Sequence, residues 1–337
     1  MKTNAVALLT LLALGGATLP GQSRAASLTV CPTGCQYATI QSAINQANDN
    51  DVVYIQKGHY FENLNTLGKA LTLWGIDNRQ AIVDGNGNGT VITIPGTNLV
   101  TVRDLTIMRG FGYNGGGIAV PNEAAVNVRH NILVDNFSTN VGGGIYFNGS
   151  SLTVFDCSIT NNTAAVGGGG FYIESGTIDI ESSLVARNSS APPYAGGIVI
   201  EIEGAPAASV INNTSIIDNT GGGISAVTEF GGYALALTNS TIAGNSGSGV
   251  SYGCVNLTFN SDVITRNTAV NGGGIDGGFS CFRGGFQTVS MTSTYVIGNT
   301  ATGDGGGTYI VGPVTNGGNV VIQGNTPDNC AKGTVCP

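Results

Sequence analysis

Residues 136–161 read NFSTNVGGGIYFNGSSLTVFDCSITN, and residues 162–187 read NTAAVGGGGFYIESGTIDIESSLVAR. Both stretches contain an Asn, then a glycine run, then two short segments of alternating apolar residues. This phrase occurs nine times, and its anchor residues are Gly110, Asn136, Asn162, Asn188, Asn219, Asn245, Asn267, Asn299 and Asn325. The steps between the anchors are 26, 26, 26, 31, 26, 22, 32 and 26 residues. A period of this size is typical of a solenoid, in which each repeat forms one coil.

Three apolar columns lie at fixed distances from the anchors. The column eight residues before the anchor holds Val102, Val128, Val154, Ile180, Ile211, Leu237, Phe259 and Met291. The column three residues before it holds Ile107, Leu133, Ile159, Val185, Ile216, Ile242, Ile264, Val296 and Ile322. The column after the glycines holds Ile118, Ile145, Phe171, Ile198, Ile224, Val250 and Ile275. Apolar and polar residues alternate around these positions, as they do in strands. Three short strands per coil predict an all-β fold, a parallel β-helix whose coils bury their apolar columns against one another.

The composition agrees with this fold and argues against one class of partner. Gly accounts for 54 of the 337 residues, and the glycine runs mark corners where the backbone needs a positive φ. The recurring Asn tolerates the same conformation and can stack into a hydrogen-bonded ladder. Charged residues make up only 9% of the chain, and the formal net charge is -8. That balance argues against a nucleic-acid partner, which needs a basic surface.

The N-terminal residues predict export followed by a cap. Residues 1–25 have a basic start, an apolar run and a small-residue cleavage site, as in a secretory signal peptide. We therefore expect a secreted, extracellular and monomeric chain, with a β-helix domain over 26–337. No later segment is long and apolar enough to span a membrane. An amphipathic helix is predicted over residues 37–47, ahead of a first strand at 52–56, and the N-terminal part at about 26–50 is expected to cap the core.

Because an exported chain meets an oxidising environment, disulfides are expected among the seven cysteines. Their positions suggest three bridges, Cys31–Cys35, Cys254–Cys281 and Cys330–Cys336. The remaining Cys157 lies in a column of Ser and Thr and is predicted to be a buried, unreactive thiol. Because no Cys or His partners are grouped nearby, a zinc site is not expected.

Sequence motifs resemble two groups of secreted proteins. The segments YATIQSAINQA (37–47), DVVYI (51–55) and KGHYFE (57–62) resemble the N-terminal part of the pectate-lyase-like superfamily. The GGGI and Asn repeats resemble those of polymorphic outer-membrane proteins. These resemblances imply a single-stranded, right-handed β-helix with three strands per coil, and they make Lys57, His59 and Glu62 structural. The polygalacturonase motifs Asn-Thr-Asp, Asp-Asp and Gly-His-Gly are not found. No cofactor is expected, although calcium would be expected for a lyase.

One candidate catalytic site lies in the turn column six residues before the anchor. This column holds Asp104, His130 and Asp156 in three consecutive coils, next to Arg103 and Arg129. Equivalent residues of stacked coils are about 4.8 Å apart, so these side chains should form a cluster. A histidine between carboxylates can act as an acid or base, and arginines can hold the carboxylate of a uronate. The alternative is an ordinary outward turn, in which Asp, His, Asn and Ser are all common.

A second candidate surface follows the third apolar column. Tyr146 and Tyr172 lie one residue after it, and Glu174 and Glu201 lie three residues after it. If the tyrosines are exposed, sugar rings can pack on them while sugar hydroxyls bond to the carboxylates. Two carboxylates one strand spacing apart also approach the separation in a retaining glycosidase. Equally, the carboxylates can be solvated and the tyrosines can simply be favourable strand residues.

Three functions remain open from the sequence. The first is a secreted or cell-surface β-helix that binds extracellular polysaccharide or a surface glycan without turnover, which the sparse charge favours. The second is a polysaccharide lyase, glycoside hydrolase or epimerase. The third is a structural repeat protein without a dedicated ligand. Release of new sugar ends separates the second from the first, and binding without turnover separates the first from the third.

Overall fold

The structure is a computed structural model that describes residues 25–202, 208–228, 231–278, 287–331 and 336. Over these residues the chain winds as a right-handed parallel β-solenoid of about 11 turns. The predicted signal peptide lies outside the described residues except for its last position, so its cleavage remains a prediction. The fold class predicted from the repeat is confirmed.

Each coil contributes strands to three rows. The first row contains Ser27–Val30, Asp51–Ile55, Leu71–Gly75, Val100–Arg103, Ala125–Arg129, Ala208–Asn212, Tyr233–Thr238, Val255–Asn260, Val289–Thr292 and Val314–Asn316. The second row contains Gly58–Phe61, Ala81–Asp84, Leu105–Met108, Ile132–Val134, Ser158–Thr160, Leu184–Ala186, Ser215–Ile217, Thr241–Ala243, Val263–Thr265, Tyr295–Ile297 and Val321–Gln323. The third row contains Leu64–Asn65, Ile92–Thr93, Ile118–Val120, Ile198–Glu201, Ile224–Val227, Val250–Gly253, Ile275–Asp276 and Thr308–Tyr309.

Two long strands and six short ones complete the coils. Ile145–Phe155 and Phe171–Glu181 begin in the third row and continue into the first row of the next coil. Short strands follow several anchors, namely Phe111–Gly112, Phe137–Ser138, Thr163–Ala164, Ser189–Ser190, Thr268–Ala269 and Thr300–Ala301. The strands of neighbouring coils pair in parallel, as Leu133 pairs with Ile159. The three apolar columns thereby form one continuous core along the solenoid.

A short helix covers the N-terminal end of this core, as predicted. It spans Ile40–Gln46, three residues shorter at its start than the pattern suggested, and it buries Ile40, Ala43 and Ile44. The Glu62 carboxylate accepts the N–H groups of Ile40 and Gln41, at 2.8 and 2.9 Å. An acidic group at a helix N-terminus satisfies free N–H groups and complements the helix dipole. Glu62 is therefore structural, as expected.

The anchor asparagines form a buried ladder inside the solenoid. The side-chain oxygen of Asn162 accepts both the backbone N–H and the side-chain N–H of Asn136, at 3.0 and 2.9 Å. The same pair of bonds recurs in each following coil up to Asn325, which bonds to Asn329. The predicted ladder is present. The predicted left-handed backbone is not at the anchor itself but at the residue before it, as at Asp135 with φ 55° and Asn161 with φ 56°.

The cysteines behave as the sequence suggested wherever they are described. Disulfides join Cys31 to Cys35 and Cys330 to Cys336. Cys254 is also disulfide-bonded, but its predicted partner Cys281 lies outside the described residues. Cys157 is a free, buried thiol, and burial raises its pKa to about 11. It is therefore a weak nucleophile in the folded chain.

Candidate functional site

One outward column of the first row is lined by aromatic and arginine side chains. Tyr54, Trp74, Arg103, Arg129 and Phe155 occupy the same position in five successive coils. Side chains alternate between the two faces of a strand. The neighbours of this column, such as Val53 and Val102, enter the core, so the column itself faces outward. We call these five residues the arginine–aromatic face.

The side chains of this face stack on one another along the solenoid axis. The ring centroids of Tyr54 and Trp74 are 5.3 Å apart. The Arg103 guanidinium lies over the Trp74 ring at 4.1 Å, and that of Arg129 lies 5.9 Å from the Phe155 ring. Such cation–π contacts hold the guanidinium planes against flat apolar surfaces. The face therefore combines planar apolar groups with positive charge.

Of the predicted catalytic residues, Arg103 and Arg129 belong to this face, and the other three lie beside it, at the corner between the first and second rows. Asp104, His130 and Asp156 all have a positive φ, between 49° and 59°, as expected for the turn column. The His130 Nδ1 is 3.4 Å from an oxygen of Asp104, and its Nε2 is 4.0 Å from an oxygen of Asp156. The side chain of His130 is 35% exposed. The structure thus brings the three residues together, while their role remains a prediction.

The corner contains a further cation that the column pattern did not reveal. Arg79 donates from Nε to the backbone oxygen of His130 at 2.6 Å and from Nη2 to an Asp156 carboxylate oxygen at 3.0 Å. It belongs to a turn of an earlier coil, which carries no Asn anchor, so counting from the anchors does not place it. Arg103 donates from Nε to Asp104 at 2.7 Å. Each outer carboxylate of the cluster is therefore already paired with an arginine.

The second predicted surface differs from the expectation. Tyr146 and Tyr172 are in register, with ring centroids 6.5 Å apart, but they are only 6% and 7% exposed. Ala119, Val141, Ala195, Val199 and the half-buried Tyr194 pack around them in a small apolar cluster outside the main core. The predicted exposure of the two rings is therefore wrong, because the loops after the anchors fold back over this part of the third row.

The glutamates of this surface are bonded to the buried tyrosines. The Tyr146 hydroxyl donates to Glu174 at 2.7 Å, and the Tyr172 hydroxyl donates to Glu201. Burial, together with the Glu174 carboxylate, raises the pKa of Tyr146 to about 12, and burial and Glu201 raise the pKa of Tyr172. Both hydroxyls thus remain proton donors at neutral pH. The structure gives these residues a packing role, and ligand binding by them stays a prediction.

A third polar cluster joins the second row to the next corner. Asp84 is fully buried, and its carboxylate accepts bonds from Arg109 Nε at 2.9 Å and lies 2.5 Å from the His59 Nε2. Burial alone would raise the pKa of Asp84, but hydrogen bonds from Arg109, the Asn86 backbone and His59 lower it. The buried carboxylate is therefore paired within the protein. The structural assignment of His59 agrees with this geometry.

Two further observations concern metal binding and membrane insertion. Among the described residues, no three His, Cys, Asp or Glu side chains are grouped so that they could hold a metal ion. In the same part of the chain, no helix has the length and hydropathy needed to cross a membrane.

Comparison with known proteins finds a family model and solved structures to which the chain is similar. Residues 78–236 match the family model described as the right handed beta helix region. Pectate lyase Pel9A shares 14% identity over 91% of this chain and 81% of its own, with a TM-score of 0.45. The catalytic unit of a thermostable alpha-1,3-glucanase from Streptomyces thermodiastaticus shares 14% identity over 88% of this chain and 69% of its own, with a TM-score of 0.41. No curated protein matches the sequence. At this level of identity the structural likenesses assign no substrate to the chain.

Proposed function

We propose that the chain is an extracellular, monomeric protein that binds an acidic polysaccharide on the arginine–aromatic face without cleaving it. The observation that carries this proposal is one outward column in which two rings, two guanidinium groups and a further ring follow one another. Sugar rings pack their C–H faces on aromatic side chains, and uronate carboxylates accept paired hydrogen bonds from arginine. The two disulfides are consistent with an oxidising, extracellular compartment.

One arginine of this face is available to an anionic ligand, although the chain as a whole is acidic. The chain has only 12 Lys and Arg against 20 Asp and Glu. Three of these cations, Arg79, Arg103 and Arg129, nevertheless lie on or beside the face. Arg79 and Arg103 are paired with carboxylates, whereas Arg129 is exposed and has no ion-pair partner among the described residues. Arg129 is thus the cation most available to a ligand carboxylate.

A second candidate function is cleavage of the same polysaccharide. The observation that favours it is the position of His130 between two carboxylates, beside the face that would hold the substrate. In a lyase or a hydrolase such a group could transfer a proton, and calcium would be an expected cofactor of a lyase. Incubation with pectins, alginates, glycosaminoglycans and neutral glucans, with calcium present, tests this function. New reducing or unsaturated ends that disappear in His130→Ala would establish an enzyme in place of a binding protein.

Binding is tested by calorimetry with oligogalacturonate and with a neutral glucan oligomer of the same length. We expect binding of the acidic oligomer only, weakening as salt is added. Arg129→Gln should reduce the affinity roughly tenfold or more, because a charge-assisted hydrogen bond contributes about 1.5–3 kcal/mol. Arg103→Gln combined with Arg129→Gln should remove binding.

The matched control is the pair Arg187→Asn and Arg266→Asn. Both arginines are exposed corner residues with positive φ, and Asn161 already occupies the same corner column. These changes remove the same charge away from the face and should leave the affinity unchanged. Equal losses in the control and the test variants would show a nonspecific charge effect. No binding of any acidic polysaccharide would contradict the proposed function.

A further inference from the structure

A cleft in the C-terminal half of the solenoid arises from a difference in loop length. Between the anchor and the third-row strand, most coils have seven to nine residues, such as 111–117 and 189–197. The coils anchored at Asn219 and Asn245 have only four, 220–223 and 246–249. Two short corners between longer ones leave a gap in the outer surface.

The gap is a cleft of about 550 Å³, within the range of roughly 300–1,000 Å³ typical of small-ligand sites. Its floor contains the two short corners, including Gly221 and Ser248. One wall is formed by Pro192 and Pro193 from the long loop of an earlier coil. The other wall is formed by residues 268–271 of the next coil.

The floor of the cleft continues the outward column of the third row. Tyr146 and Tyr172 occupy this column in the earlier coils, followed by Val199 and Ser225. The next two positions are Ser251 and Asp276, which are paired in register and line the cleft. Tyr146, Tyr172, Val199 and Ser225 are buried, whereas Ser251 and Asp276 are partly exposed. The column therefore changes from a packed to an accessible surface along the solenoid.

Among the described residues that line the cleft, Asp276 is the one charged side chain. One oxygen of the Asp276 carboxylate accepts the backbone N–H of Gly278 at 3.0 Å, and the carboxylate has no other bonded partner among the described residues. Burial raises the pKa of Asp276, because the charged form is poorly solvated there. None of the described residues that line the cleft is a Lys, Arg or His. A ligand cation in the cleft could pair with this carboxylate.

The other lining groups are hydroxyls and small apolar surfaces. Ser246 and Thr268 present hydroxyls that can donate and accept a hydrogen bond, and the Ser251 hydroxyl, which donates to the backbone oxygen of Ile224 at 3.4 Å, can still accept one. Val270, which is 70% exposed, and the two prolines present apolar surface. A ligand matching all three properties has hydroxyl groups, an apolar ring face and a positive charge. These are the properties of a sugar that carries a protonated amine.

We propose that this cleft binds an amino sugar, with its ammonium group paired to Asp276 and its hydroxyls bonded to the serine and threonine side chains. This site is separate from the arginine–aromatic face and takes a ligand of the opposite charge. The proposal does not depend on the proposed binding of acidic polysaccharide.

The test is calorimetry with a fully deacetylated glucosamine oligomer, at a pH where the amine carries its proton. The comparison ligands are the N-acetylated oligomer, a neutral glucan oligomer and a lysine oligopeptide. We expect binding of the glucosamine oligomer alone. Asp276→Asn should weaken it roughly tenfold or more, since a charged hydrogen bond is replaced by a neutral one.

Two further variants keep the result decisive. Ser251→Tyr places a tyrosine at the position that Tyr146 and Tyr172 occupy in other coils, and its ring should block the cleft and remove binding. Asp218→Asn removes an equal charge from an exposed corner outside the cleft and should change nothing.

Several outcomes would overturn the amino-sugar site. These are no binding of the glucosamine oligomer, equal binding of the N-acetylated oligomer, equal binding of the lysine peptide, or an unchanged affinity in Asp276→Asn. Oligogalacturonate binding in Asp276→Asn should equal that of the unaltered chain. A failure of the cleft is thereby distinguished from a failure of the arginine–aromatic face.

Discussion

At the scale of single residues, the anchor asparagines replace hydrogen bonds that strands cannot supply at a corner. The side chain of Asn188 donates to the backbone oxygen of Ile159 at 2.9 Å and to Asn219 at 3.1 Å. Its oxygen accepts the backbone N–H of Asn162 at 2.9 Å. These groups are fully buried, so no water can take the place of the amide.

Asn188→Ala should therefore be strongly destabilising. Because it leaves buried backbone groups without partners, we expect a loss of about 2–4 kcal/mol in the free energy of unfolding. Asn161→Gly is the control, since Asn161 is exposed and its positive φ suits glycine. Urea unfolding of both variants measures the difference. Equal stabilities would contradict a structural role for the ladder.

A second prediction at the scale of single residues concerns Asp262 and the pH dependence of the stability of the chain. This buried carboxylate accepts the N–H groups of Ser240 and Asn260, both at 2.8 Å, and burial raises its pKa to about 7 from an ordinary 3.8. The folded chain therefore holds the proton more tightly than the unfolded chain. The contribution of Asp262 to the free energy of unfolding is therefore fully present below pH 3.8 and is lost as the pH rises to about 7.

Asp262→Asn should remove this pH dependence and stabilise the chain above neutral pH, by at most about 4 kcal/mol. An asparagine fits the column, because Asn131 occupies it and bonds to the backbone of Leu105 and Val102. Thermal unfolding across the pH range measures the effect, with the exposed Asp135→Asn as control. If the unfolding temperature of Asp262→Asn changed with pH in the same way as that of the unaltered chain, the raised pKa of Asp262 would be contradicted.

At the scale of elements, the N-terminal helix depends on side chains from the coil that it covers. Glu62 binds its first N–H groups, and the Lys69 ammonium donates to the backbone oxygens of Ile44 and Ala47 at its end. Seven residues are too few for a stable isolated helix. These contacts and the burial of its apolar side therefore maintain it.

Glu62→Ala should loosen this helix without disturbing the coils. We expect faster hydrogen exchange at the Ile40 and Gln41 amides and a loss of about 1–2 kcal/mol in stability. Glu123→Ala, at an exposed loop position, is the control. Unchanged exchange at Ile40 and Gln41 would show that the carboxylate does not hold the helix.

The elements also show what the sequence could predict. The apolar columns and anchors fix the register of each coil, so the rows, the ladder and the corner cluster of His130 could be located by counting. The strand Ser27–Val30 was missed, because it precedes the helix and has no repeat to align with. The burial of Tyr146 was missed as well, since a repeat does not reveal the direction in which its loops fold.

At the scale of the whole molecule, neither candidate surface exists within one coil. The arginine–aromatic face takes one residue from each of five coils, and the cleft needs two short corners between longer ones. Stacking at a spacing of about 4.8 Å converts columns of the sequence into surfaces. Such surfaces suit an extended polymer, which can contact several coils at once.

The most direct measurement is the fluorescence of Trp74 during titration with oligogalacturonate. Trp74 is the only tryptophan of the chain, and it lies in the face beneath Arg103. We predict a saturable change in its emission with the acidic oligomer and none with a neutral glucan oligomer, and the change should be lost in Arg103→Gln with Arg129→Gln. Binding detected by calorimetry without any change in Trp74 emission would contradict the proposed position of the site.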